Sequence, residues 1–139
     1  MKINYFTLLL AIVWLIFIFV ITASPSATGE HTLNIIQKYL GFNEQVASTV
    51  NFFGRKLAHI VVFGMLSVIL FFVFKERKLF WSWFFTTLYA VTDELHQLLV
   101  EGRTPSIYDV VLDSFAAIIA LLLLRLYLKG RVQREKGIL

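Results

Sequence analysis

The sequence predicts an all-α polytopic membrane protein: a bundle of four transmembrane helices carrying a short amphipathic helical outer loop. Three observations lead there. The 139 residues are 58% hydrophobic, with a mean hydropathy of +0.76, which is too apolar for a soluble fold of single-domain length. Four apolar stretches, about 5–23, 54–74, 79–100 and 107–128, each come close to the length a helix needs to cross the hydrocarbon. The Lys and Arg residues behind the formal charge of +4 gather at the ends of those stretches, where they orient a membrane protein. No aromatic-basic groove or helix-turn-helix pattern accompanies them, so nucleic acid is not an expected partner.

The first stretch follows Lys2 and precedes the small residues Ala23, Ser24, Ser26 and Ala27, as a signal peptide would. Its apolar core exceeds the roughly 7 to 15 residues of a signal sequence, so a retained span is expected. The connection over 24–53 is the one long loop. Within it Leu33, Ile36 and Leu40 recur at helical spacing before Gly41, and Val46, Val50 and Phe53 recur after Asn43, a residue suited to an N-cap. Two short amphipathic helices lying on the outer membrane surface are expected from this pattern.

The tight basic turn Lys75-Glu76-Arg77-Lys78 joins the second and third spans, and Trp81 and Trp83 follow where an interfacial aromatic belt belongs. The third and fourth spans are joined by 101–106, in which Thr104 before Pro105 reads as an N-cap followed by proline at the first helical position. Basic residues at Lys2, at 75–78 and in the tail 129–139 alternate with poorly basic connections. Both termini are therefore expected in the cytoplasm and 24–53 outside, in a single domain spanning 1–139.

Ionisable groups inside a bilayer cost several kcal/mol each when unpaired, which makes their placement the most informative feature of the chain. They are grouped. Lys56 and His59 open the second span, Asp93, Glu94, His96 and Gln97 close the third, and Asp109 and Asp113 open the fourth. With the orientation above, all lie at one depth near the outer surface, and their spacing gives each helix one polar stripe. Such stripes are expected to converge inside the bundle on a pocket roofed by Arg103. Arg55 also suits a role reaching the headgroups, Asp109 suits the start of a helix, and Glu101 and His31 suit solvent.

Two classes of role fit this set. His59, Asp93, Glu94, His96 and Asp113 are candidate acids, bases or ligands, and Lys56, Gln97, Arg103 and Asp109 are candidate binding groups. Against both stands a buried ion network that only fixes helix register. Asp93, Glu94, Asp109 and Asp113 bring more negative charge than Lys56 and Arg103 neutralise, which argues for protonation or a bound cation. The chain has no cysteine, so disulfides, thiol nucleophiles and thiolate metal sites are excluded, and any metal would need His, Asp or Glu. His59 and His96 sit on different helices and do not match the two-histidine zinc-protease motif; the sequence assigns no metal or cofactor.

The stretches RKLAHIVVFGML and YAVTDELHQLLVEGRTPSIYDVVLDSFAA resemble the VanZ-like membrane proteins. The shared pattern is Lys56 and His59; Asp93, Glu94 and Gln97; Arg103; and Asp109 and Asp113, within a resemblance that extends over about 5–128 and includes Ser24-Pro25-Ser26. Where the family often has glycines after the last aspartate, this chain has Ala116, Ala117 and Ala120. The resemblance implies a multi-pass protein of the bacterial cell membrane, in a family named for an accessory protein that raises resistance to the glycopeptide teicoplanin. Membrane lipids, a lipid-linked wall precursor or the glycopeptide are then the expected partners. A transporter is not expected, because the inner halves of the helices offer no polar path.

Overall fold

The computed structural model describes residues 5–24, 28–103, 105–135 and 137, which form five helices and no strands. In chain order they are α1 (Tyr5–Ala23), α2 (Gly29–Leu40), α3 (Glu44–Val73), α4 (Lys78–Gln97) and α5 (Ile107–Glu135). Three of them, α1, α3 and α5, are long and apolar enough to cross a membrane. Their outward faces carry side chains such as Ile16, Val61 and Leu123, each more than half exposed, as a lipid solvent requires.

The fourth expected span, 79–100, corresponds to α4, which ends at Gln97 and is not among the helices apolar enough to cross. The reason lies in its inward face. Ser82, Thr86, Asp93, Glu94 and Gln97 are all buried, while Phe80, Phe84, Leu88 and Leu95 point outward. The helix is thus apolar outside and polar inside, the reverse of a helix on a soluble protein.

Of the two short helices expected over 24–53, one is a separate helix, α2, and the other is not separate. Thr28 caps α2, its hydroxyl accepting from the His31 N–H at 3.4 Å, and Gly41 ends it at φ +65°, where a residue without Cβ meets no strain. Asn43 caps the next helix by accepting from the Val46 N–H at 2.9 Å, but that helix is α3 itself. The second amphipathic segment and the second span form one continuous helix. Gly54, which looked like a start, lies inside it with open space around it. Thr32 and Asn51, linked at 2.6 Å, and the Asn51 amide donating to the Gly29 carbonyl at 2.8 Å pin α2 against α3.

Thr104 lies outside the described residues. Ser106 caps α5, its Oγ accepting from the Tyr108 N–H at 3.2 Å. The tail expected from 129 onward is helical to Glu135 as the end of α5. Packing is most extensive between α3 and α5, where a Cβ on Gly64 would stand 3.5 Å from the Ala120 Cβ. Ala116, Ala117 and Ala120 thus still permit close approach. The first helix is fastened by polar groups as well: the Trp14 indole donates to the Val62 carbonyl at 3.1 Å, and the Tyr89 hydroxyl to the Leu15 carbonyl at 2.6 Å.

Candidate functional site

Residues 55–59 within α3, 93–97 at the end of α4 and 106–113 at the start of α5 meet, brought together by the seam between α3 and α5 and the packing of α4 on both. Lys56 donates to Asp109 Oδ1. One turn deeper, His59 Nδ1 lies 3.0 Å from Asp113 Oδ2. Both ties bridge α3 and α5. Lys56 thus pairs with Asp109 of α5 and not with the α4 carboxylates Asp93 or Glu94. The His59 ring also stacks on Phe63, with centroids 5.8 Å apart, and this fixes its plane.

On α4 the two acids differ. Asp93 uses both oxygens, accepting from the Thr22 hydroxyl at 2.6 Å and the Gln97 amide at 2.8 Å. Glu94 accepts from the Ser106 N–H at 2.7 Å through Oε2, while its Oε1 is buried with no partner. Asp113 Oδ1 is likewise buried and unpartnered. Since a buried unmatched polar atom costs about 1–3 kcal/mol, these two carboxylate oxygens are not explained by stability.

Ligand atoms of His59, Glu94 and Asp109 all lie within 4.8 Å of one another. One imidazole and two carboxylates make a donor set that suits a divalent ion, but the Lys56 ammonium already neutralises Asp109. The residues fit a metal only with Lys56 displaced. His96 departs from the expected convergence: it stacks on Phe19 of α1, centroids 4.2 Å apart, with its Nδ1 buried and unpartnered. Gln97 acts here as a support for Asp93.

Two recesses flank the cluster. One, of about 360 Å³, is lined by Asn51, Lys56, His59, Ser106 and Asp109 among others. The second, of about 450 Å³, is apolar, lined by Ile18, Ile21, Ile36, Val62 and Phe63 together with Arg55, His59 and Arg103. Arg55 and His59 line both. Arg103, expected to roof the polar cluster, lines the apolar recess, and its Nε is buried without a partner. Its pKa is lowered, chiefly by burial and then by the charge of Arg55, with Asp93 and Glu94 opposing.

Thr22 was absent from the expected site. It is the one hydroxyl in the last turns of α1, and a hydroxyl there usually bonds back along its own helix, as Thr22 Oγ1 also does at 2.9 Å from the Ile18 carbonyl. The Ser106 N–H was likewise missed, because a backbone donor leaves no trace in the choice of residue.

A family model described as VanZ/LLP1 matches residues 5–128 of the chain. Neither the curated proteins nor the solved structures compared with it give a match.

Proposed function

The chain belongs to the VanZ/LLP1 family, and on that premise we propose that it recognises a component of the outer leaflet of the bacterial cell membrane through this buried polar cluster. Recognition there gives it a part in low-level resistance to glycopeptides such as teicoplanin. The observation that carries the reading is the pair of buried, unpartnered carboxylate oxygens, Glu94 Oε1 and Asp113 Oδ1, on side chains whose partners Ser106 and His59 line the recesses. A network built only for helix register gains nothing from them. In this reading α4 is the fourth crossing, both termini are cytoplasmic, and the cluster lies near the outer surface, where glycopeptides and wall precursors also are. Lys56, Gln97, Arg103 and Asp109 shape and neutralise the site.

A second reading, favoured by the His59–Asp113 contact, is a membrane enzyme acting on an outer-leaflet lipid or lipid-linked wall precursor. A carboxylate against Nδ1 holds the imidazole proton there and leaves Nε2 basic, the arrangement of a general base. Asp93, Glu94 and His96 complete the candidate acids and bases.

Teicoplanin susceptibility and a lipid and wall-precursor profile, measured in cells with and without the protein, test both readings. Lower susceptibility with an unchanged profile supports binding, and an altered lipid or precursor supports the enzyme. Unchanged susceptibility with an unchanged profile overturns the proposal.

A further inference from the structure

Most charges in this region have partners. Lys56 is held by Asp109, His59 by Asp113, and Asp93 by Thr22 and Gln97. Two do not. Among the described residues neither Arg55 nor Arg103 has a side-chain hydrogen bond or ion pair, although both are part-buried and both line the 450 Å³ cavity. A guanidinium presents a fixed fork of donors suited to carboxylate or phosphate oxygens, and leaving two of them unpaired and within electrostatic reach of each other is unfavourable. Arg55 reaches as far as α2, where its Nη1 occupies the space that a Cβ on Gly29 would need, 2.6 Å away, without finding a polar partner there.

The rest of the cavity wall is of the opposite character. Phe17, Ile18 and Ile21 of α1, Ile35 and Ile36 of α2, and Val62 of α3 make it apolar. Water gains little in such a space, and a hydrocarbon chain is its natural filling. A cavity that is apolar along its length and carries two unpaired arginines matches an amphiphile with an anionic head.

We propose that the cavity between α1, α2 and α3 binds a phosphate-bearing lipid, with its hydrocarbon chain along Ile18, Ile21, Ile36 and Val62 and its phosphate between Arg55 and Arg103. His59, which lines both recesses, then stands at the headgroup. This deepens the outer-leaflet reading and rests on it for the side of the membrane, but not for the chemistry of binding.

The test uses the full chain in mild detergent, with retained lipid read by native mass spectrometry. The probes are phosphatidylglycerol, diacylglycerol with the same chains, and inorganic phosphate. Phosphatidylglycerol is expected to be retained about tenfold better than diacylglycerol, and excess inorganic phosphate should not displace it. Arg55→Gln and Arg103→Gln should each weaken retention about tenfold, the size of one charge-assisted hydrogen bond lost. Arg55→Lys should recover part of it, and Ala58→Trp, which fills the cavity from α3, should abolish it with both arginines present. Equal retention of diacylglycerol, displacement by inorganic phosphate, or undiminished retention in Ala58→Trp overturns the inference. The Ala58→Trp and Arg55→Lys variants decide the matter where a glutamine variant fails to assemble. Lipid retained as expected while teicoplanin susceptibility and the lipid and precursor profile stay unchanged sinks the functional reading and leaves this inference standing. A clear resistance phenotype with no phosphate preference does the reverse.

Discussion

The imidazole of His59 meets a carboxylate that is almost wholly buried: Nδ1 lies 3.0 Å from Oδ2 of Asp113, a residue with 1% of its surface exposed. Asp113→Asn keeps the shape and an acceptor for the ring while removing the charge. Normal membrane abundance, within about twofold, with loss of the glycopeptide phenotype is the expected result, and His59→Gln should behave alike. Full phenotype in both variants at normal abundance would reduce the pair to a structural contact.

Lys56 and Asp109 should behave as a unit. Lys56→Met alone strands a buried carboxylate, at about 3–5 kcal/mol, whereas Lys56→Met with Asp109→Leu removes both charges and should recover most of that loss. Denaturation of the purified protein in detergent reads both. If the double variant also regains the phenotype, the ion pair serves assembly alone.

Thr22 ties α1 to the cluster. Thr22→Val deletes the hydroxyl that Asp93 Oδ1 accepts from and should destabilise the protein by about 1–3 kcal/mol, while Thr22→Ser should stay near wild type. Equal stability of the valine and serine variants would mean that the 2.6 Å contact contributes nothing.

For topology, the chain's lack of cysteine makes single-cysteine variants clean reporters. Gln45→Cys and Lys129→Cys both place the thiol at exposed positions. With both termini inside, an impermeant maleimide applied to intact cells should label position 45 and spare position 129. Labelling at 129 but not at 45 inverts the orientation and moves the cluster to the other leaflet.

How far the sequence went can be seen residue by residue. Burial of Asp93, Glu94, Gln97, Asp109 and Asp113 was legible, because an ionisable group in an apolar run has nowhere to go but the bundle interior. Their pairing was not. Whether Lys56 meets α4 or α5 depends on the rotation of one helix against another, which the Gly64–Ala120 seam sets and which no spacing within a single helix records. His96 shows the same limit, since a residue three positions from Asp93 turns far enough around α4 to meet Phe19. The continuity of α3 was hidden by Gly54: glycine costs a helix about 1 kcal/mol relative to alanine, enough to suggest an end but too little to impose one.

That continuity has a mechanical consequence. A helix of 30 residues is about 45 Å long against about 30 Å of hydrocarbon, so α3 is longer than a crossing needs by about a third of its length. With α2 lashed to the first turns of α3 by Thr32 and Asn51, a load applied to α2 has no joint in which to dissipate before it reaches Lys56 and His59. Force on α2 is delivered to those charges as a tilt of the whole rod, so α2 and the buried cluster move together or not at all.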